Sequence, residues 1–143
     1  MDLRDIDLTV AAYIVKDGKV LLIHHKKLDK WLPVGGHIEE NETPDRAVKR
    51  EVKEEVGLDI ELSGQSKVNG TGGHKQLAQP FHVDMHSVGD HDHVCFYYAA
   101  KPLGEEISIR EEEVNEARWF EEDELGEVPA DVATQARRAL EIL

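Results

Sequence analysis

Glu51, Glu54 and Glu55 are the residues whose spacing speaks most directly of chemistry, and they fall within Pro44-Asp45-Arg46-Ala47-Val48-Lys49-Arg50-Glu51-Val52-Lys53-Glu54-Glu55-Val56. At about 100° per residue, Val48, Val52 and Val56 form the i, i+4, i+8 stripe of a helix facing a core. Arg46, Lys49, Arg50 and Lys53 lie roughly opposite. The three glutamates share a further arc about 100° wide, centred near Ala47. Like charges at i, i+4 destabilise a helix by about 0.2–0.5 kcal/mol. Glu54 and Glu55 also stand near the C-terminal end, where the helix dipole disfavours anions. A divalent cation removes the repulsion, and Mg²⁺ takes a few carboxylates with waters and phosphate oxygens completing its octahedron. Taken alone, the helix reads more simply as a solvated face with Arg50 paired to Glu54.

Other side chains offer weaker signals. His91-Asp92-His93 has the residue types of a zinc site, but with no cysteine nearby it reads first as a polar turn. His24-His25 runs into Lys26-Lys27 and reads as surface before it reads as a phosphate contact. Trp31, Phe81, Tyr97 and Tyr98 have rings that could stack on a base, although aromatics in strands more often belong to a core.

The elements that must position these residues follow from the hydrophobic pattern. Leu8 to Val15 reads as a buried strand, Asp17-Gly18 as a hairpin turn and Lys19 to His24 as the partner strand. Trp31 to Ile38 is a short extended segment carrying Pro33, Gly35 and Gly36. The glycines can take backbone angles that other residues avoid and bring a carbonyl close to a ligand. Thr43-Pro44 offers a cap and a proline for the first helical turn, and Gly57 a stop. Strands are expected at Leu58 to Leu62, Phe81 to Val88, Val94 to Ala100, Glu105 to Ile109 and Ala117 to Phe120. Ser63 to Gln79 is polar and glycine-rich, a loop with room for one strand. Glu121 to Leu125 reads as a turn of helix, and Ala130 to Leu143 as an amphipathic helix with Val132, Ala136, Ala139, Leu140 and Leu143 on one side. Strands, helix, strands, helix imply an α/β sandwich with two main helices on a sheet.

At 143 residues, with 40% hydrophobic and 33% charged residues, the chain fits one globular domain spanning 1–143. Its formal charge of -13 makes it a poor general binder of nucleic acid, whose affinity comes from Lys and Arg. The same charge disfavours an anionic membrane surface. No apolar run approaches the roughly 20 residues of a membrane span. One cysteine, Cys95, excludes an intrachain disulfide. Met1 to Asp7 lacks the apolar run of a signal peptide, so a cytoplasmic setting is expected.

The segment preceding the helix sharpens the reading. The chain runs Gly36, five residues, Glu42, seven residues, then Arg50-Glu51-Val52-Lys53-Glu54-Glu55-Val56-Gly57-Leu58. This resembles the Nudix box, Gly-x5-Glu-x7-Arg-Glu-U-x-Glu-Glu-x-Gly-U with U bulky and aliphatic. All of its constrained positions are filled, which makes it far more specific than a bare glycine motif. The flanks are similar too: the leading hairpin, Trp31 to Glu39, and Glu116-Ala117-Arg118-Trp119-Phe120. One departure is Val34, where many members carry a second proline.

The resemblance implies a Nudix α/β/α sandwich around a mixed sheet and hydrolysis of a nucleoside diphosphate linked to another moiety. Mg²⁺ or Mn²⁺ would be held by Glu51, Glu54, Glu55 and the Gly36 carbonyl. A water would be directed at phosphorus, with one of these glutamates or a carboxylate outside the box as base. By motif position, Arg50 would orient a glutamate and Glu42 would support the loop. Glu112 and Glu113 lie where some members supply a further base, but an exposed acidic loop explains them equally well. The partner implied is a small nucleoside diphosphate derivative, and a homodimer is left open. Gly73 and His74 stand about 15 residues beyond the box, where ADP-ribose and dinucleoside-polyphosphate members carry Pro and Tyr, and Pro80 lies too far along. The coenzyme A and NADH signatures are absent as well, so the substrate stays open. The competing reading is a non-catalytic nucleotide-binding or regulatory Nudix domain.

Overall fold

The computed structural model describes residues 5–66, 68 and 70–143. Met1 to Arg4, part of the amino-terminal stretch read above, lie outside the described residues, as do Lys67 and Asn69 of the polar loop. Among the described residues, eight strands form one mixed sheet. Its axis is β1 (Ile6–Lys16), which is apolar and β-branched because both of its faces are covered. β1 turns through Asp17-Gly18, both at positive φ, into the antiparallel β2 (Lys19–His25). β3 (Lys30–Leu32) pairs with β2, and β4 (Val34–His37) pairs antiparallel with β1. After helix α1 (Pro44–Val56) come β5 (Ile60–Leu62), β6 (His82–Ser87), β7 (Asp92–Pro102) and β8 (Val114–Phe120). A 3₁₀ turn at Glu122–Glu127 precedes α2 (Ala130–Ile142). β7 lies parallel to β1 from Ile6↔Asp92 to Ile14↔Ala100, and β8 extends the sheet beside β2.

Side chains on β1 alternate between two cores. Val10, Ala12 and Ile14 pack with Val48, Val52 and Val56 of α1. Tyr13 and Val15 pack with Val132, Ala133, Ala136 and Ala139 of α2. The helices therefore cover opposite faces, which is the expected α/β/α sandwich. Among the described residues, no helix is long and apolar enough to cross a membrane.

The ends of α1 fall where Pro44 and Gly57 put them, but not all of their contacts are those the sequence announced. Pro44 opens α1 and Gly57 closes it in the left-handed region. The Thr43 hydroxyl, however, donates to the Asp45 carboxylate and accepts no helical N–H. Glu105 to Ile109 forms no strand. The Ser108 and Arg110 amides donate instead to the Val56 and Glu55 carbonyls, each at 2.9 Å. The last carbonyls of a helix lack intrahelical donors, and that need outweighs strand propensity here. Ser63 to Gln79 likewise holds no strand among the described residues.

Gly35 and Gly36 are also used differently from expectation. Neither has a positive φ, and both are ordinary strand residues opposite Ala11 and Val10. What matters is the missing Cβ. At Gly35 it would collide with the Val10 carbonyl and lie 2.9 Å from the Ala11 Cα, backbone atoms that cannot move aside. Gly35→Ala should therefore part β4 from β1 and cost about 1–3 kcal/mol, the usual penalty of overpacking. Urea denaturation checks this, and a stability equal to the parent protein's would contradict it.

Candidate active site

The glutamate arc of α1 is not a solvated face. Ala47 at its centre is fully buried, and Glu55 is only 5% exposed. The Glu51 side chain is 14% exposed and that of Glu54 43%, so the arc runs from core to solvent. Opposite it stands β4. A Cβ on Gly36 would lie 2.5 Å from both carboxylate oxygens of Glu51. The strand backbone and the carboxylate thus share a space that any side chain would fill.

Arg50 holds this arrangement together. Its Nε donates to Glu42 Oε2 at 2.7 Å and its Nη2 to Glu42 Oε1 at 2.9 Å, a bidentate pair. Nη1 donates to Glu51 Oε1 at 2.9 Å and Glu54 Oε2 at 3.2 Å. Nη2 also reaches the His37 carbonyl at 2.9 Å. The pairing with Glu54 foreseen from the helix exists, but it is the longest of these contacts. The Arg50 hydrogen bonds hold the Glu42 carboxyl below the ordinary range, and Glu42 in turn accepts from the Glu39 amide at 3.0 Å.

Glu55 has no such partner. Its Oε2 is buried without a hydrogen bond. Burial, then the charges of Glu51 and Glu113, push its pKa up to about 8. Burial also raises Glu51, against the pull of Arg50. Glu112 and Glu113 are both exposed, but the charge of Glu113 acts on Glu51 and Glu55. An unpartnered buried oxygen beside a second half-neutralised carboxylate is a donor set for a hard cation. The residues present therefore fit a divalent metal ion.

A cleft of about 400 Å³ adjoins the arc, with Gly36, His37 and Glu55 at one end and Asp84, Tyr97 and Gln135 at the other. Of the aromatic candidates, Tyr97 lines this cleft, whereas Tyr98 is core. Trp31 packs edge-on against Phe120, and Phe81 against Tyr13. His24 meets Trp31 and Asp29, while His25 reaches the cleft. Asp84 went unnoticed in the sequence. Its Oδ1 is buried without a hydrogen bond, and the only local signal was an acid between two histidines on one face of a strand, His82-x-Asp84-x-His86.

The comparisons with known proteins agree with this geometry. The family model described as "NUDIX domain" matches residues 6–142. The chain belongs to the NUDIX family of hydrolases. A solved hydrolase of that family from Clostridium perfringens is 35% identical, with a TM-score of 0.87 over 94% of this chain and 96% of the other. Among curated proteins, an NAD-capped RNA hydrolase of Vibrio atlanticus is 32% identical over 87% of this chain and 40% of its own length. An RNA pyrophosphohydrolase of Hydrogenovibrio crunogenus is 44% identical over 36% of this chain and 33% of its own. The chain thus spans well under half the length of these two curated relatives.

The raised Glu55 pKa predicts a specific pH dependence for the metal-free protein. In the folded state Glu55 keeps its proton up to about 8, whereas unfolded it releases it near 4.5. The stabilisation from the protonated form is complete below the unfolded value and is lost as pH rises toward the folded one. Wild type should therefore lose about 1–3 kcal/mol relative to Glu55→Gln between about pH 5 and about pH 7.5. Denaturation in EDTA tests this, and parallel pH profiles for the two proteins would refute it.

Proposed function

We propose that this chain is a Mg²⁺-dependent pyrophosphohydrolase acting on a small nucleoside diphosphate derivative, with residues 1–143 as its single catalytic domain. Mn²⁺ is the natural substitute ion. The observation that carries the reading is the buried, unpartnered Glu55 oxygen, together with the Glu51 carboxylate in the space left by the missing Cβ of Gly36.

On this reading Glu51, Glu54 and Glu55 hold the cation, together with the Gly36 carbonyl. The bound ion supplies Lewis acidity at the diphosphate and acidifies a water. Everything else falls to the protein. Arg50 is a positioning residue, because its fork fixes Glu51 and Glu54 relative to Glu42 and to the end of β4. Glu42 fixes Arg50. The general base is a glutamate of this cluster, with Glu113, whose charge acts on Glu51 and Glu55, the candidate from outside the box. Proton transfer to such a positioned group contributes about 10²–10⁴-fold. Tyr97 and the free Asp84 oxygen suit a nucleobase, with its apolar face and its N–H groups, in the far end of the cleft. Two relatives bear names that specify RNA substrates, so capped and triphosphorylated RNA belong on the substrate panel. The charge of -13 weighs toward small nucleotides.

A panel of nucleoside triphosphates, nucleotide sugars, dinucleotides and RNA ends, assayed with and without Mg²⁺, should show metal-dependent cleavage of a phosphoanhydride. With the substrate in hand, Glu54→Gln keeps the shape and removes the charge. It should lower kcat by about 10²-fold or more while leaving KM comparatively unchanged. If Glu51→Gln, Glu54→Gln and Glu55→Gln all turned over at the parental rate, these glutamates would not carry the catalysis, whereas no cleavage of any substrate on the panel would favour the nucleotide-binding reading. Gly36→Ala tests the scaffold. The clash is with the mobile end of Glu51, so activity and Mg²⁺ affinity should fall more than stability does. The reverse order would place Gly36 in the scaffold only.

A further inference from the structure

Three strands bring histidines, and a fourth an aspartate, to one end of the sheet, outside the glutamate cluster. Asp7 lies near the start of β1, His37 at the end of β4, His86 on β6 and His93 on β7, with His91 just ahead of β7. The register fixes the grouping, since Asp7 is the parallel partner of His93 and His86 its antiparallel partner. The ring nitrogens converge. His91 Nε2 lies 3.2 Å from His93 Nε2 and 3.3 Å from Asp7 Oδ2. The same Asp7 oxygen is 4.0 Å from His93 Nε2 and 3.6 Å from His37 Nε2.

We propose that Asp7, His91 and His93 form a site for a zinc-class transition-metal ion, with a water as the fourth ligand, distinct from the glutamate site. A tetrahedral ion with ligand bonds of about 2.0–2.2 Å sets its ligand atoms about 3.3–3.6 Å apart. The three separations among Asp7, His91 and His93, 3.2, 3.3 and 4.0 Å, bracket that spacing. The donors are imidazoles and one carboxylate, which suit Zn²⁺, Co²⁺ or Ni²⁺ rather than Mg²⁺. His91 Nδ1 is held by Asp90 Oδ1 at 2.7 Å, which turns its Nε2 toward Asp7 and His93, the outer contact that commonly orients a metal-binding imidazole. His93 is mostly enclosed, whereas Asp7 and His37 are open to solvent, so the site has an entry path.

The ion would tie the start of β1 to the start of β7, where the two strands pair in parallel. The inference does not rest on the proposed hydrolytic activity.

The test uses the untagged full chain, stripped with EDTA and held in excess Mg²⁺ so that the glutamates are occupied. Titration with Co²⁺ should give the visible absorption of a four-coordinate ion at one equivalent. Zn²⁺ should abolish that signal and raise the melting temperature. His91→Ala and Asp7→Asn should each weaken binding about 10-fold or more, while Glu54→Gln should leave it unchanged. Because Asp7→Asn preserves shape and lies on a partly exposed strand end, it guards against loss of fold. Melting of each metal-free variant confirms that guard. Absence of the four-coordinate spectrum would overturn the proposal. So would a spectrum indifferent to both His91→Ala and Asp7→Asn, or one lost in Glu54→Gln.

Discussion

The structure depends on one guanidinium. Arg50 sits among Glu39, Glu42, Glu51 and Glu54 and is only about one-fifth exposed. Without it, a helix carrying Glu51, Glu54 and Glu55 would face a loop carrying three more acids, Glu39, Glu40 and Glu42, and the end of β4 would lose its tie to the helix. A lysine could neutralise one of these charges, but it lacks the planar fork that binds both Glu42 oxygens while still reaching the His37 carbonyl. Arg50 thus converts a repulsive surface into a rigid one, and it leaves the innermost carboxylate, Glu55, without a partner.

That omission has a cost which the rest of the fold offsets. A buried carboxyl without a hydrogen bond is destabilising whether it is charged or protonated. The valine stripe at Val48, Val52 and Val56 is completely enclosed, and each such side chain contributes roughly 1.5–3 kcal/mol of burial. The C-terminal carbonyls of α1 are satisfied by Ser108 and Arg110. The helix can therefore carry a strained acidic edge because the adjoining valine edge and its end are securely made. Proteins commonly tolerate such local instability where activity needs it.

Much of this was legible in the chain and some of it was not, for identifiable reasons. The β1–β2 hairpin, α1 and α2 announce themselves through local signals: Asp17-Gly18, Pro44 and Gly57, and apolar periodicity. The glutamate arc and its link to Gly36 were readable from spacing within 23 contiguous residues, Gly36 to Leu58. Arg50 could be placed on the helix, but its bidentate partner Glu42 lies outside it, and helical geometry alone favoured Glu54. Glu105 to Ile109 read as a strand because propensity does not register a neighbouring helix end that needs donors. Asp84 and the meeting of Asp7 with His91 and His93 depend on strand register across some 85 residues, where β1 and β7 pair in parallel. Parallel pairing leaves no turn in the sequence to mark it.

The charge distribution constrains how substrate and metal must be related. The cleft end nearest the glutamates offers Gly36, His37 and Glu55, and Lys30 is the one lysine among the cleft residues described, with no arginine beside it. Arg50 is already committed to acceptors within the protein. A diphosphate approaching Glu51, Glu54 and Glu55 would therefore meet net repulsion. On the proposed reading the attraction must come from the cation itself, so metal and nucleotide each raise the other's affinity. Such coupling is reciprocal by necessity. It would make the glutamates selective as well as catalytic: a ligand without adjacent phosphate oxygens to complete the ion's octahedron has nothing to offset the acidic wall.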